Sequence, residues 1–121
     1  MSKNKEIIVP IFNNEWKVVI AWGSHKFLKK MLKGWGYPKD SVNTIKQEMD
    51  GRRGVCYISS QCHPLIFLPK KPKTPQQYGT LAHEAVHAVE HIFNKIKQPL
   101  GDEVFAHAVG AVVRETLKQI K

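Results

Sequence analysis

His83-Glu84-Ala85-Val86-His87 places two imidazoles four residues apart, with a carboxylate next to the first. On an α-helix, residues four apart project about 40° from one another, so both rings reach one ion while Glu84 stands beside it. Zinc-assisted hydrolysis needs nitrogen donors, an open position for water, and a carboxylate near that water but off the metal. The expected roles are therefore metal ligand for His83 and His87 and general base for Glu84. His91 continues the stripe, but three ligands in line along one helix cannot surround one ion. It is read as a supporting or solvent-facing ring.

A third ligand must come from elsewhere, and three sources are known for helices of this kind. The metzincin pattern requires Gly and His where this chain has Glu90 and Phe93, which excludes it. A cysteine from an upstream strand, as in deformylases, stays open through Cys56 or Cys62, although neither lies in an E-G-C-L setting. The third source is a carboxylate on the following helix. Gly101-Asp102-Glu103-Val104 offers one sixteen residues after His87, and Glu103 is chosen over Asp102, whose place beside Gly101 suits a cap.

On these residues the chain resembles the zinc metallopeptidases called gluzincins, in particular the small single-domain ones of phages and bacteria. The resemblance covers roughly residues 52 to 115, and its specific part is His83, Glu84, His87 and Glu103. It implies Zn2+ held by His83, His87 and Glu103, Glu84 as the base that polarises water, and a peptide or protein substrate. It also implies an α+β, minimal zincin-like fold, in which a small, mostly antiparallel sheet packs on the active-site helix, followed by a glutamate-bearing helix. In such folds the strand ahead of the metal helix pairs with an extended substrate, which makes Val55, Cys56 and Tyr57, continuing to Ile58, the expected edge.

The elements that must position these groups are legible from periodicity. Thr74, Pro75 and Gln77 form a capping box with proline at the first helical position, so a helix is expected from there to about Lys97, before Pro99. Its apolar residues Leu81, Ala85, Val89, Ile92 and Phe93 lie opposite the histidines. A last helix is expected over about 102–119. There Glu103, His107, Gly110 and Arg114 fall within about 60° of one another and are expected to line the metal cleft. His107 is placed to hydrogen-bond a ligand or stabilise an oxyanion. Gly110 is expected to let the helices approach closely, and Arg114 to face substrate or neutralise a buried carboxylate.

Ahead of these helices lies the supporting half. Ile7 to Phe12 and Trp16 to Trp22 flank Asn13-Asn14 as a hairpin, with Pro10 arguing for an edge strand and one face of the second strand expected to be buried. Ser24 caps an amphipathic helix to about Lys33, with Lys26, Lys29, Lys30 and Lys33 on its polar side. A short helix capped by Asp40 or Ser41 follows. Gly54 to Ser59 and Pro64 to Leu68 make a second hairpin, with His63 a surface residue of its loop. Pro69 to Pro75 is an extended connector whose lysines stand at the rim of the cleft.

Composition sets the outer bounds. A chain of 121 residues makes one domain, 1–121, divided into a supporting half, 1–73, and the metal-site helices, 74–121. The net charge is +9, and residues 1–73 hold 14 Lys and Arg against 5 Asp and Glu, while 74–121 hold 5 of each. The excess is either a solvated face or a surface for nucleic acid or an acidic partner. If it is the working surface, the chain is a non-catalytic, metal-stabilised binding module. Pro10 breaks the first apolar run, no stretch spans a membrane, and two cysteines suit a reducing cytoplasm.

Overall fold

A computed structural model describes residues 4–11, 15–34, 36–49, 54–57, 63–96 and 101–120. The elements run β1 (Lys5–Ile11), β2 (Trp16–Trp22), α1 (His25–Gly34), α2 (Lys39–Met49), β3 (Val55–Tyr57), β4 (Leu65–Leu68), α3 (Pro75–Ile96) and α4 (Gly101–Ile120). The class is α+β, as expected. The four strands form one sheet in the order β1-β2-β4-β3. β1 pairs antiparallel with β2, β2 parallel with β4, and β3 antiparallel with β4. β1, which carries Pro10 opposite Lys17, is an edge strand, so its missing N–H breaks no interior ladder.

The sheet is covered on both faces, which corrects the expectation of a single buried face. Ile7, Val9, Val18, Ile20, Trp22, Ile66 and Leu68 pack against Leu81, Ala85, Ala88, Val89 and Ile92 of α3 and Ala108 and Val112 of α4. The opposite face carries Val19, Ala21, Leu65 and Phe67 into a second cluster with Leu28, Met31 and Leu32 of α1, Tyr37 of the turn after it, and Val42 of α2. β2 and β4 are therefore interior strands, and their unbroken apolar runs, VVIAW and LIFL, belong to strands buried on both sides. Ile20 has no exposed surface at the centre of this packing. Ile20→Ala is expected to cost about 2–5 kcal/mol, read as a shift of the urea midpoint with unchanged slope.

Local signals set the helix starts. The Ser24 hydroxyl accepts from the Phe27 N–H at 3.1 Å, which caps α1. Gly23, just ahead, has φ +144°, and a side chain there would meet the Asn4 amide that accepts from Ser24 N–H. α2 begins at Lys39, ahead of where a cap at Asp40 or Ser41 would start it, with Val42 N–H donating to the Pro38 carbonyl. At α3 the capping box is formed in full: Gln77 N–H donates to Thr74 Oγ1 at 3.2 Å, and Gln77 Oε1 accepts from the N–H of Thr74 and of Lys73.

His63 is a joint rather than a loose surface group. Its Nδ1 accepts from Lys17 N–H at 3.2 Å, and its ring stands edge-on to Trp16. With Val19 N–H donating to the Pro64 carbonyl, this ties the entry of β4 to β2. The Asn13-Asn14 turn, the tip of the second hairpin and Cys62 lie outside the described residues.

Candidate metal centre

α3 presents two different sides because its apolar residues recur at helical spacing from Leu81 to Ile92, about three turns. Leu81, Ala85, Ala88, Val89 and Ile92 are sealed against the sheet, and His83 and His87 are exposed on the other side. The two rings stand edge-on, 4.7 Å between centroids, with their Nε2 atoms 3.2 Å apart. Two nitrogens each about 2.0–2.1 Å from one tetrahedral zinc are separated by about 3.3 Å. The pair therefore already has the spacing of two ligands on a single ion.

Glu84 sits at the border between the two sides. It is 8% exposed, and its Oε2 is buried with no hydrogen-bond partner among the described residues. A buried carboxylate oxygen without a donor is costly, and such groups cluster where protons or cations are handled. His83, Glu84 and His87 each offer one ligand atom within 4.8 Å of the others. The two imidazoles are donors that suit zinc and other divalent transition metals, and the carboxylate lies within reach of the same ion.

Strand β3 flanks the group. Among the described residues it is the outermost strand, so no described strand pairs with the outer side of the expected substrate-binding edge, Val55, Cys56 and Tyr57. Its start is held tightly against α3: a side chain at Gly54 would come within 2.8 Å of the Thr80 methyl and 3.0 Å of Leu68. Cys56, partly buried, lies within electrostatic reach of Glu84. Burial first, and the Glu84 charge second, push its thiol up to about 12. Sequence reasoning offered Cys56 only as one of two candidate cysteines, and the position of β3 is what sets it beside Glu84.

A prediction follows for the metal-free protein. Because the folded thiol titrates far above its ordinary value of about 8.5, Cys56 is neutral at pH 8 and alkylates slowly there. Reactivity should rise only as the pH approaches 12, and Glu84→Gln, which removes the adjacent charge, should raise the rate at a given pH. The folded state holds this proton more tightly than the unfolded chain does. The associated stability is thus present below about pH 8.5 and is lost as the pH rises toward 12. Iodoacetamide labelling mapped to the Cys56 peptide checks both parts.

The stripe expected on α4 is not where the sequence put it. Glu103, His107, Gly110 and Arg114 are all exposed. Glu103 stands outside the His83–Glu84–His87 group and pairs with His107, one turn on, at 3.3 Å, the two side chains being 88% and 78% exposed. The reason is the length of α3, which continues nine residues past His87 to Ile96. The Phe93 and Phe105 rings meet edge-on at 5.2 Å, so the start of α4 lies beside the end of α3 rather than beside the histidines. Gly110 makes no close helix approach, since a side chain there would meet nothing within 4 Å. Arg114 joins Gly110, Val113, Leu117 and Lys118 around a shallow depression on α4 instead of neutralising a buried carboxylate.

His91 is half-buried at the end of the histidine stripe, and its pKa is lowered, first by burial and then by Lys95. A cleft of about 370 Å³ opens on the same side of α3, one turn before His83, between the connector and Gln76, Gln77 and Thr80. No described helix is long and apolar enough to cross a membrane. No family model, curated protein or solved structure matches the chain.

Proposed function

We propose that the chain is a zinc-dependent peptide hydrolase of minimal gluzincin type, with His83 and His87 as metal ligands, Glu84 as general base and Glu103 as the third ligand. The observation that carries this reading is the junction of two facts on one helix. The His83 and His87 nitrogens are already at two-ligand spacing, and the adjacent Glu84 carries a buried carboxylate oxygen with no donor. A structural histidine pair would not need that carboxylate beside it.

When bound, zinc supplies Lewis acidity that brings the pKa of water to about 7. Glu84 then accepts the proton of the attacking water and passes it to the leaving amine. The exposed histidines leave the ion side open to a large substrate, and the free edge of β3 supplies backbone donors and acceptors that hold an extended peptide. For Glu103 to complete the site, its side chain must leave His107 and the first turn of α4 must close toward the histidines. The Glu103 side chain is exposed and free to turn, while movement of the helix end would break the edge-on contact of Phe105 with Phe93.

One observation favours a second reading of the ligand set. Cys56, on the strand beside α3, is close enough to Glu84 to feel its charge, whereas Glu103 stands outside the His83–Glu84–His87 group. A metal deprotonates a coordinating thiol outright, and a His2Cys site is the deformylase-like arrangement. The zinc content of single variants separates the two and is taken up in the Discussion. The basic face of α1, with Lys26, Lys30 and Lys33 exposed, lies across the sheet from α3 and is spatially separate from this chemistry.

A further inference from the structure

The cleft before His83 has a lining whose chemistry is one-sided. Its apolar walls are Leu68 and Pro72, both buried, and Pro69; its polar members are Lys70, Thr74, Gln76, Gln77 and Thr80. None is acidic. The capping box decides what the amide and hydroxyl groups still offer. Gln77 Oε1 is taken by the N–H groups of Lys73 and Thr74, so what Gln77 has left for a ligand is its –NH2, a donor. Thr80 Oγ1 donates its hydrogen to the Gln76 carbonyl, and its methyl lies against Gly54. With the Lys70 ammonium, the cleft presents donors and positive charge around an apolar floor.

Its position relative to the histidines follows from two contacts between β3 and α3. Gly54 meets Thr80, and Cys56 stands by Glu84. Two strand residues advance about 6.6 Å and four helix residues about 6 Å, so β3 and α3 ascend together. A peptide laid along the outer edge of β3 therefore passes Glu84 of the metal group at Cys56 and Thr80, one wall of the cleft, at Gly54, two residues away. Residues two apart on a strand point to the same side, so a side chain that reaches the cleft belongs to the residue two positions from the one held at the histidines. In antiparallel pairing with β3 that position lies C-terminal to the reacting carbonyl.

We propose that this cleft is the selectivity pocket of the hydrolytic site and takes a glutamate side chain of the substrate, two residues from the one at His83 and His87. The glutamate stem lies on Leu68, Pro69 and Pro72, and its carboxylate meets the Lys70 ammonium and the Gln77 –NH2. The assignment rests on the hydrolase reading above. Glutamate fits better than a larger apolar residue because the donors would otherwise be covered without an acceptor, and the walls add no negative charge to repel it.

The test uses the zinc-loaded full chain and its Lys70→Glu variant, matched for zinc content and melting temperature. A decapeptide library is digested and its cleavage sites are mapped by mass spectrometry, and binding of fluorescein-labelled Glu-rich and Lys-rich decapeptides is followed in parallel by anisotropy. Wild type is expected to favour Glu over Lys about fivefold to tenfold at one position, two residues from the reacting one, and Lys70→Glu to reverse the preference. Cleavage without an acidic preference there, or a preference untouched by Lys70→Glu, overturns the pocket while the hydrolase stands. If nothing is cleaved, the hydrolase reading fails, and anisotropy still decides the cleft. Acid-selective binding that depends on Lys70 keeps a carboxylate site, and equal binding of both peptides removes it.

Discussion

Glu84→Gln is expected to leave the zinc content at one ion per chain and to lower peptide hydrolysis by about 10³-fold or more. The amide keeps the shape of the side chain but accepts no proton at neutral pH, so the attacking water loses its base and the leaving amine its acid. Binding of the ion rests on His83 and His87 and is not weakened. Glu84 is buried at the edge of the core, and glutamine fills the same volume, with its –NH2 or oxygen in place of the unpaired carboxylate oxygen. Removing a buried charge that has no donor should hold the melting temperature or raise it slightly. Turnover of a peptide library, zinc by mass spectrometry and thermal unfolding together read the result. Near-normal hydrolysis in Glu84→Gln sinks the assignment of the base.

The second large effect is on metal content. His83→Ala and His87→Ala should each abolish stoichiometric zinc, since either change leaves one imidazole and removes the pair whose nitrogens stand 3.2 Å apart. Both side chains are exposed, so neither change opens a core cavity, and the fold should persist without metal. Glu103→Ala is expected to lower zinc affinity by more than the roughly 10–100-fold that loss of a group supporting a ligand costs, whereas Cys56→Ser keeps zinc. The opposite pattern, with Cys56→Ser zinc-free and Glu103→Ala loaded, transfers the third position to β3 and makes the site deformylase-like. Zinc retained in His83→Ala and His87→Ala removes the centre altogether and leaves the basic α1 face as the surface to pursue, by salt-dependent nucleic-acid binding.

The exposure of Glu103 gives the ligand question a structural content that spacing lacked. Sixteen residues after His87 is a distance along the chain, and its meaning in space depends on where α3 ends. Because Ile96 is still helical, α4 starts beside Phe93, about 9 Å up the axis from His87. Closing Glu103 onto the histidines is therefore a rearrangement at the α3–α4 end. Metal binding should protect that end in hydrogen exchange if the gluzincin set forms.

Sequence alone determined the features that repeat locally. The side-by-side placement of His83 and His87, with Glu84 at the border of the core, follows from 3.6 residues per turn. The starts of α1 and α3 follow from side chains that satisfy their own helix N–H groups, at Ser24 and at Thr74 with Gln77. Pro10 marked β1 as an edge because a residue without an N–H has no place inside a ladder. Tertiary structure decided everything that depends on which elements become neighbours. It covered both faces of β2, where alternation had suggested one, because Val18 to Trp22 are apolar at successive positions and the two helix layers share them. It also turned the Glu103, His107 and Arg114 stripe to solvent, because a helix with apolar residues around much of its circumference does not state which arc is buried. Strand order put β3 at the free edge and Cys56 beside Glu84, since the partner of a strand is chosen by packing across the whole sheet and not by its own few residues.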